Sequence, residues 1–489
     1  MSGPEEGSGD SAPRFSMPPP KAASSVQAGP AVRTSPEEAM LSTPTPDPAR
    51  RTRRDRAVHT AAEQGLLDAE DTPVACFVDL QGIAESARAL RAAWPAELDV
   101  LHAFAAKANP LVPVLAQLRA HGLGCEVSSP GELAQARAAG FTADRIVLDS
   151  PVKTLAELTT ALAEGIAVNV DNFEELERVD KLIDAAAPDP RVGVRINPQV
   201  GLGSIEAMST AGRTTKFGVA LEDPGNRERL LDAYLARPWL RWVHVHVGSQ
   251  GVPLELNAAG VASAVAFARE VNRQRPGQVV GIDIGGGLPV DFSGDHDAPT
   301  YADHVEALKA AVPALFDGSF RIVTEYGRSL LAKNGFFATR VEYTKETGGR
   351  RIALTHAGAQ LVARTAFAPD LWPLRVLAYD QAGRPSEAEP EVQDVGGPCC
   401  FAGDLLARER LLPRLASGDL VVVPDTGAYS FSSPFHYNSL PMPPVHGFDT
   451  AEDGTVRFTL LRRAETVDEV VARSGVTTFP ARPDAHGGT

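Results

Sequence analysis

The sequence predicts an α/β fold, a (β/α)8 TIM-like barrel followed by an all-β C-terminal domain, with a disordered tail at the N-terminus. After position 72, eight apolar runs of strand length alternate with helical stretches over about 250 residues, as in a closed parallel barrel. After about position 335 this alternation stops, and strand-like runs with Pro- and Gly-rich connections follow. An open doubly wound sheet is the alternative arrangement of the same strands and helices.

The N-terminal tail is predicted over residues 1–57. Ten of the first fifty residues are proline, so the segment has too little apolar surface to offset the entropy of ordering. It ends in a basic run from Arg50 to Arg56, which could bind an anionic surface. A solvated tail is the simpler interpretation of the same run.

The barrel is predicted over residues 72–330, and the β-domain over residues 331–480 with residues 58–71 joining it. The predicted barrel strands are 100–106, 123–127, 145–149, 167–170, 192–196, 242–247, 279–284 and 321–325. Helices are predicted between them at 113–120, 131–139, 154–163, 173–185, 258–272 and 301–315. The predicted strands of the β-domain are 336–344, 351–355, 373–377, 420–423 and 456–462.

Composition narrows the class of protein. The 489 residues carry a formal charge of −15, which disfavours binding to nucleic-acid phosphates. An uninterrupted apolar stretch of about 18 residues, the length of a membrane-spanning helix, is absent, and the N-terminus lacks a secretory signal pattern. The four cysteines are too few and too irregular for a disulfide framework. We therefore expect a cytoplasmic protein that binds neither nucleic acid nor membranes.

Polar residues collect where the predicted barrel strands end, which is where barrel enzymes place their catalytic groups. Lys107 ends an apolar strand, so a depressed pKa would let its amine react with a carbonyl cofactor. Three successive glycines offer bare backbone N–H groups to a phosphate, and Arg328 could add a bidentate contact. Each feature also has a structural explanation: a strand-end lysine, a plain turn or a surface ion pair. The strand-end residues are Lys107, Glu126, Arg195, Asn197, His246, Gly248, Ser249, Gly285, Gly286, Gly287, Glu325 and Arg328.

Glu325 indicates the kind of cofactor. A carboxylate at a buried strand end needs a partner, and a protonated heterocyclic nitrogen is one. His244 and His246 share a face of their strand, but a third metal ligand at a suitable spacing is not evident, so an organic cofactor is favoured over a metal. A lysine, a phosphate clamp, a carboxylate and a flat ring together indicate pyridoxal phosphate.

Nine sequence blocks, in order from about residue 72 to 444, resemble the barrel-type pyridoxal-phosphate decarboxylases of the alanine-racemase fold (group IV). This family includes the ornithine and arginine decarboxylases, and the resemblance is closest to the diaminopimelate decarboxylases. The blocks are FAAKAN around Lys107, EVSSPGEL from Glu126, RINP from Arg195, KFG from Lys216, HVHVGSQ from His244, DIGGG from Asp283, EYGR from Glu325, GPCC ending at Cys400 and GAY ending at Tyr429.

The resemblance implies a role for each site residue. Lys107 would carry pyridoxal 5'-phosphate, His246 would stack on its ring, and Glu325 would bind the pyridine nitrogen. Cys400 would protonate the substrate carbon after carbon dioxide leaves, reaching across the interface of a homodimer with shared active sites. The implied phosphate-binding residues are Ser249, Gly285, Gly286, Gly287, Arg328 and Tyr429. The implied substrate-binding residues are Arg328, Arg364, Phe401, His356 and Tyr429.

The chain departs from this family pattern where the distal end of a substrate would bind. Phe401 and His356 occupy positions where the family has acids, and Ala368 lies near the place of a lost tyrosine. Arg364 matches an arginine that binds a distal carboxylate in diaminopimelate decarboxylases. A buried unpaired ammonium costs several kcal/mol, so we expect an amino-acid substrate whose side chain is neutral, apolar or anionic.

Milder departures are Glu126 for the family's Asp and Tyr326 for its Pro, and both leave the expected chemistry intact. Three other functions are compatible with parts of the pattern: an amino-acid racemase on the same barrel, a catalytically inert binding protein, and a metal-dependent hydrolase. Glu325 favours decarboxylation over racemisation, because racemases of this fold place an arginine at the pyridine nitrogen. An inert protein is disfavoured by retention of the family's site residues, which are Lys107, Glu325, Arg328, Cys400 and Tyr429.

Overall fold

The computed structural model describes residues 48–183 and 190–475. The predicted tail lies outside the described residues up to position 47, but its last ten positions belong to helix α1, Pro48–Glu63. The prediction of disorder is therefore wrong for residues 48–57. Arg50, Arg53 and Arg54 of α1 are buried, although the helix has little apolar surface of its own.

Ion pairs with distant parts of the chain hold these arginines. Arg53 Nε lies 2.7 Å from Asp79 Oδ2, and Arg53 Nη2 lies 2.9 Å from Glu85 Oε2. Arg54 Nη1 lies 2.8 Å from Asp295 Oδ1. The basic run therefore pairs with acids of the same protein, which removes its most buried guanidinium groups from any external anionic surface.

Replacing Arg53 with alanine is expected to destabilise the fold by about 3–5 kcal/mol, because it leaves Asp79 as a buried, uncompensated charge. Chemical denaturation measures this change. Arg51→Ala is the matched control on the same helix, since the Arg51 side chain is 66% exposed and its ion pair is expected to contribute only about 0–1 kcal/mol. Equal losses in the two variants would contradict the buried ion pair.

The barrel begins after strand β1, Val74–Asp79, with helix α2, Leu80–Ala93. Its strands are β2 Val100–Ala105, β3 Gly124–Val127, β4 Ile146–Asp149, β5 Ala167–Val170, β6 Val192–Asn197, the short β7 Val219–Ala220, β8 Leu240–Val245, β9 Gly281–Asp283 and β10 Arg321–Thr324. Its remaining helices are α3 Val112–Ala120, α4 Pro130–Ala138, α5 Leu155–Glu164, α6 Phe173–Asp180, α7 Asn226–Ala236, α8 Leu254–Gln274, α9 Tyr301–Ala311 and α10 Arg328–Leu331.

Eight of these strands form a closed parallel ring. The pairing runs in the order β5-β4-β3-β2-β10-β9-β8-β6, and pairing of β5 with β6 closes the ring. The short strand β7 pairs with β6 but is not one of the eight strands of the ring. All eight predicted strands are present, so the barrel rather than the open sheet is confirmed. Because the strands are parallel, their carboxyl ends meet at one mouth, and the strand-end residues come together there.

The second sheet follows the barrel in sequence. Its elements are β11 Gly335–Thr347, β12 Arg350–Thr355, α11 Ala359–Phe367, β13 Leu377–Tyr379, β14 Pro390–Gly396, β15 Leu405–Pro413, β16 Leu420–Val423, β17 Val445–Thr450, β18 Val456–Arg462 and α12 Val467–Arg473. The strand predicted at 373–377 is wrong, because the chain becomes a strand only from residue 377. The last ten or so residues, rich in Pro, Gly and His, are predicted from the sequence to be frayed, and they lie outside the described residues.

Strand β1 belongs to this second sheet, not to the barrel. It pairs antiparallel with β11 and parallel with β17, so the barrel starts at Leu80 and not at the predicted residue 72. Helix α1 packs on the same sheet, where Val58 and Ala61 join Phe77 and Phe336 in one apolar cluster. The helices of the described residues include none long and apolar enough to cross a membrane.

Candidate active site

A cavity of about 300 Å³ opens at the carboxyl ends of the barrel strands. It brings together nine of the site residues singled out from the sequence. These are Lys107, Arg195, His246, Ser249, Gly287, Glu325, Arg328, Arg364 and Tyr429. The cavity is therefore formed by the barrel and by the C-terminal region, which contributes Arg364 and Tyr429.

Lys107 lies in a short 3-10 turn directly after β2, with its Nζ 2.6 Å from Glu126 Oε2 at the end of β3. Burial favours the neutral amine, but the charge of Glu126 and of other acids around it outweighs burial and raises the pKa of Lys107 above its usual range. The expected depressed pKa is thus wrong for the free amine. Burial in turn raises the pKa of Glu126.

A buried row of charges lies beneath the cavity. Arg195 Nη1 is 2.9 Å from Asp149 Oδ2, and His244 lies between two carboxylates, with Nδ1 3.7 Å from Asp149 Oδ1 and Nε2 3.6 Å from Glu325 Oε2. Burial opposes charge on His244, but Asp149, Asp283 and Glu325 raise its pKa to about 9. Burial would raise the pKa of Glu325, but His244 holds it below its usual value.

The sequence interpretation missed this grouping, because Asp149 is distant in sequence and was not connected with His244. Asp149, His244 and Glu325 place atoms within 4.8 Å of one another, a spacing that by itself would also suit a metal ion. The charges of Arg195, Asp149, His244 and Glu325 alternate in sign, so they compensate one another without an ion. The position of Asp149 at the end of a predicted strand was the signal that could have found it.

His246, two residues further along, is a neutral ring. Burial lowers its pKa to about 3, and its Nδ1 accepts a hydrogen bond from the backbone N–H of Gly286 at 3.0 Å. The remaining hydrogen of the imidazole therefore lies on Nε2. This contact ties His246 to the glycine segment and fixes the orientation of its ring.

The glycine segment after β9 has a backbone that other residues would not adopt. Gly285 and Gly287 have φ of +65° and +108°. A Cβ atom at Gly286 would overlap the carbonyl oxygen of Glu325, and one at Gly287 would overlap that of Gly248. Bare backbone therefore lines the cavity beside Ser249, as a phosphate cradle requires.

Two guanidinium groups face the aromatic rings of Tyr429 and Trp372. Arg328 lies 4.6 Å from the Tyr429 ring centre and 5.0 Å from that of Trp372, and Arg364 lies 4.8 Å and 5.2 Å from the same rings. Within the described residues neither forms an ion pair with a carboxylate. Burial and the nearby Arg364 lower the pKa of Arg328 to about 10, well above neutrality, so both groups are cationic and suit an anion. The sequence interpretation did not identify Trp372.

Three of the predicted catalytic and substrate-binding residues do not line this cavity, and neither do Gly285 and Gly286 among the predicted phosphate-binding residues. Cys400 is exposed, and its backbone N–H donates to Asn438 Oδ1 at 2.7 Å. Phe401 stacks on Phe367 with ring centres 5.2 Å apart. His356 Nε2 lies 2.9 Å from Glu342 Oε2. A single chain therefore does not bring these residues into the cavity.

The unsatisfied polar atoms of the cavity fit pyridoxal phosphate. Glu325 Oε1 and Arg328 Nε are buried without a hydrogen-bond partner among the described residues. A buried carboxylate oxygen suits a protonated ring nitrogen, and a guanidinium beside bare glycine backbone suits a phosphate. Lys107 supplies the amine that the aldehyde of this cofactor needs.

Proteins of named activity are similar to this chain in sequence and in fold. The chain is 32% identical to the diaminopimelate decarboxylase of Methanothermobacter thermautotrophicus, over 77% of this chain and 87% of the relative. It is 30% identical to the L-glutamyl-(BtrI acyl-carrier protein) decarboxylase of Niallia circulans, over 75% and 86%. The crystal structure of Helicobacter pylori diaminopimelate decarboxylase (I148L mutant) complexed with L-lysine aligns with a TM-score of 0.72 at 25% identity, covering 84% of this chain and 99% of that one.

A family model describes the barrel itself. Residues 80–332, from the first residue of α2 to the residue after α10, match the model of the pyridoxal binding domain of pyridoxal-dependent decarboxylases. This match covers more than half of the chain, and the relatives extend it into the C-terminal region. The chain therefore belongs to the pyridoxal-dependent decarboxylase family and is a pyridoxal-phosphate-dependent amino-acid decarboxylase.

Proposed function

We propose that this chain removes the α-carboxylate of an amino acid whose side chain ends in a neutral, apolar or anionic group. The observation that carries this proposal is Arg364, a cationic group that lines the cavity without a carboxylate partner among the described residues. An arriving side-chain ammonium would meet like charge there. The acids at or near the cavity already have cationic partners: Glu126 pairs with Lys107, Asp149 with Arg195, and Glu325 with His244.

The residues of the cavity would divide the work as follows. Bound pyridoxal phosphate supplies the electron sink that accepts the bonding electrons when carbon dioxide leaves. Lys107 would hold the cofactor through its amine, and Glu325 would accept a hydrogen bond from the ring nitrogen and keep it protonated. His246, neutral and fixed by Gly286, would cover one face of the ring.

The phosphate would be held by backbone and side chains together, and this anchoring would place the ring. Arg328 would pair with the phosphate. The cationic charge of Arg364 nearby would favour a substrate whose side chain is anionic. The residues proposed to bind the phosphate are Ser249, Gly285, Gly286, Gly287, Arg328 and Tyr429.

We also propose that a second copy of the chain completes each site. Cys400 is exposed and lies outside the cavity of its own chain, although the resemblance assigns it the proton that replaces the carboxylate. It adjoins an aromatic group that includes Phe367, Phe401, Phe435 and Tyr437, and Phe367 is 63% exposed. Covering these rings with the cavity mouth of a partner would bury apolar surface and bring Cys400 and Phe401 to the substrate.

Two inactive variants test the shared site when they are mixed. Lys107→Ala and Cys400→Ala are each expected to be nearly inactive, but co-expression of the two is expected to restore about a quarter of wild-type activity. Half of the random dimers are mixed, and each mixed dimer has one site with both native residues. The measurement is carbon dioxide release by the unselected co-expressed protein, and purification of the mixed dimers through two different affinity tags is expected to raise the restored activity to about half of wild type. Activity no higher than that of the separate variants would contradict a site built from two chains.

Substrate preference is tested with a panel of amino acids. Neutral and acidic amino acids are expected to give amine products with a kcat/KM at least about tenfold above those of lysine, ornithine and diaminopimelate, because one unpaired ammonium costs more than about 1.4 kcal/mol. Mass spectrometry of the amine product measures both reaction and substrate. Phe401→Glu restores an acid next to Cys400 and is expected to shift the preference toward diamino acids. Faster turnover of the three diamino acids by the wild-type protein would contradict the proposal.

A further inference from the structure

His244 occupies a position that the proposed division of work leaves unexplained. Its side chain is completely buried on β8, beneath the cavity, and its two ring nitrogens face two carboxylates from opposite sides. Neither ring nitrogen forms a hydrogen bond with any of the described residues. A neutral imidazole at this place would leave Asp149 and Glu325 as closely spaced buried anions. The other cations that act on them are Arg195 and Lys153 for Asp149 and Lys107 for both.

We propose that His244 is a positioning residue that acts, as an imidazolium, through Glu325 to keep the ring nitrogen of the cofactor protonated. This inference rests on the proposed role of Glu325. The geometry is a row in which Arg195, Asp149, His244 and Glu325 alternate in charge, and Glu325 Oε1 at its end remains unpaired for the cofactor. The cation behind Glu325 keeps that carboxylate ionised in a fully buried site, where burial alone would favour the acid form.

The groups around His244 determine whether it is charged. Acids at the ends of three other strands stabilise the imidazolium of His244, and their effect outweighs that of burial, which favours the neutral ring. Arg195 and Lys107 oppose it, but each already pairs closely with an acid, at 2.9 Å and 2.6 Å. The titratable and charged groups near His244 are Asp149 on β4, Asp283 on β9, Glu325 after β10, Arg195 on β6, Lys107 after β2, Glu126 on β3 and His246 after β8.

The test replaces His244 with glutamine, which retains polar atoms but carries no charge, and examines the holoenzyme with pyridoxal phosphate labelled with 15N in the ring. In the wild-type protein the 15N shift is expected to show a protonated ring nitrogen from pH 7 to pH 9. In His244→Gln, the midpoint of ring protonation is expected to fall by at least about one pH unit, because Glu325 then takes up a proton itself. His304→Gln is the matched control, since His304 is also buried but contacts Tyr326 and Asn257 instead of acids.

The outcomes separate this inference from the proposed function. An unprotonated ring nitrogen in the wild-type protein would overturn the proposed role of Glu325 and the inference that rests on it, whereas the substrate panel tests the proposed function separately. A ring protonated equally in wild type, His244→Gln and His304→Gln would overturn only the role of His244.

A second measurement needs no variant, so it remains decisive if His244→Gln fails to fold. Wild-type holoenzyme labelled with 15N-histidine is expected to retain one doubly protonated imidazole at pH 8, well above the ordinary histidine pKa. Eleven histidines contribute to this spectrum. Only neutral imidazoles at that pH would overturn the inference.

Discussion

Lys107→Ala is expected to lower decarboxylase activity by at least about a thousandfold. When several residues act as one catalytic unit, removing any one of them abolishes most of the rate enhancement. The variant is also expected to lose the visible absorbance band of lysine-bound pyridoxal phosphate. Absorbance spectra and carbon dioxide release measure the two effects. The fold is expected to survive, because burial already raises the pKa of Glu126, the buried partner of Lys107, to about 8, so this acid can take up a proton when the amine is removed.

Lys216→Ala is the control for this variant. Lys216 also lines the cavity, 5.1 Å from the ring centre of Phe217. Among the described residues, Glu126 forms its ion pair with Lys107 and not with Lys216. It is expected to retain the visible band. A band that persists in Lys107→Ala, or that disappears in Lys216→Ala instead, would show that another amine carries the cofactor.

The barrel could be predicted from the sequence because most positions in its strands are apolar and the strands alternate with helical stretches. A strand buried on both faces needs no alternation with polar residues, so 146–149 and 167–170 stand out locally. Strand β14 has a mixed polar sequence and is exposed along its first part, so it lacks that signal. The first part of α1 is densely charged, and the burial of its arginines depends on acids such as Asp295, 241 positions from Arg54, which no local pattern reveals.

The site was predictable to the extent that it depends on strand ends. Parallel strands bring their carboxyl ends together, so residues such as Lys107, His246 and Glu325 were expected to meet, and they line one cavity. The electrostatics was less predictable. The apolar strand before Lys107 indicated a depressed pKa, but the acid that reverses the shift, Glu126, belongs to the neighbouring strand. The partners of His244 likewise come from other strands, and no spacing along the sequence brings them together.

Glu325→Gln is expected to lower kcat by about a hundredfold to a thousandfold with a much smaller change in KM, because a preorganised charge that stabilises the transition state is removed while the shape of the cavity is retained. The glutamine side chain is neutral, so it cannot stabilise a protonated ring nitrogen as a carboxylate does. Cofactor binding is expected to persist, since Lys107 and the phosphate contacts remain. Steady-state kinetics with the best substrate of the panel, together with the absorbance of bound cofactor, measures these effects.

Glu342→Gln is the control, because Glu342 is an exposed acid that pairs with His356 and lies outside the cavity. It is expected to change neither kcat nor the cofactor spectrum. A rise in KM without a fall in kcat in Glu325→Gln would mean that Glu325 binds substrate and transition state equally. The carboxylate would then be a binding group, and electron withdrawal by the ring would have to depend on some other residue. A fall in kcat alone connects the buried row of charges to the step in which carbon dioxide leaves.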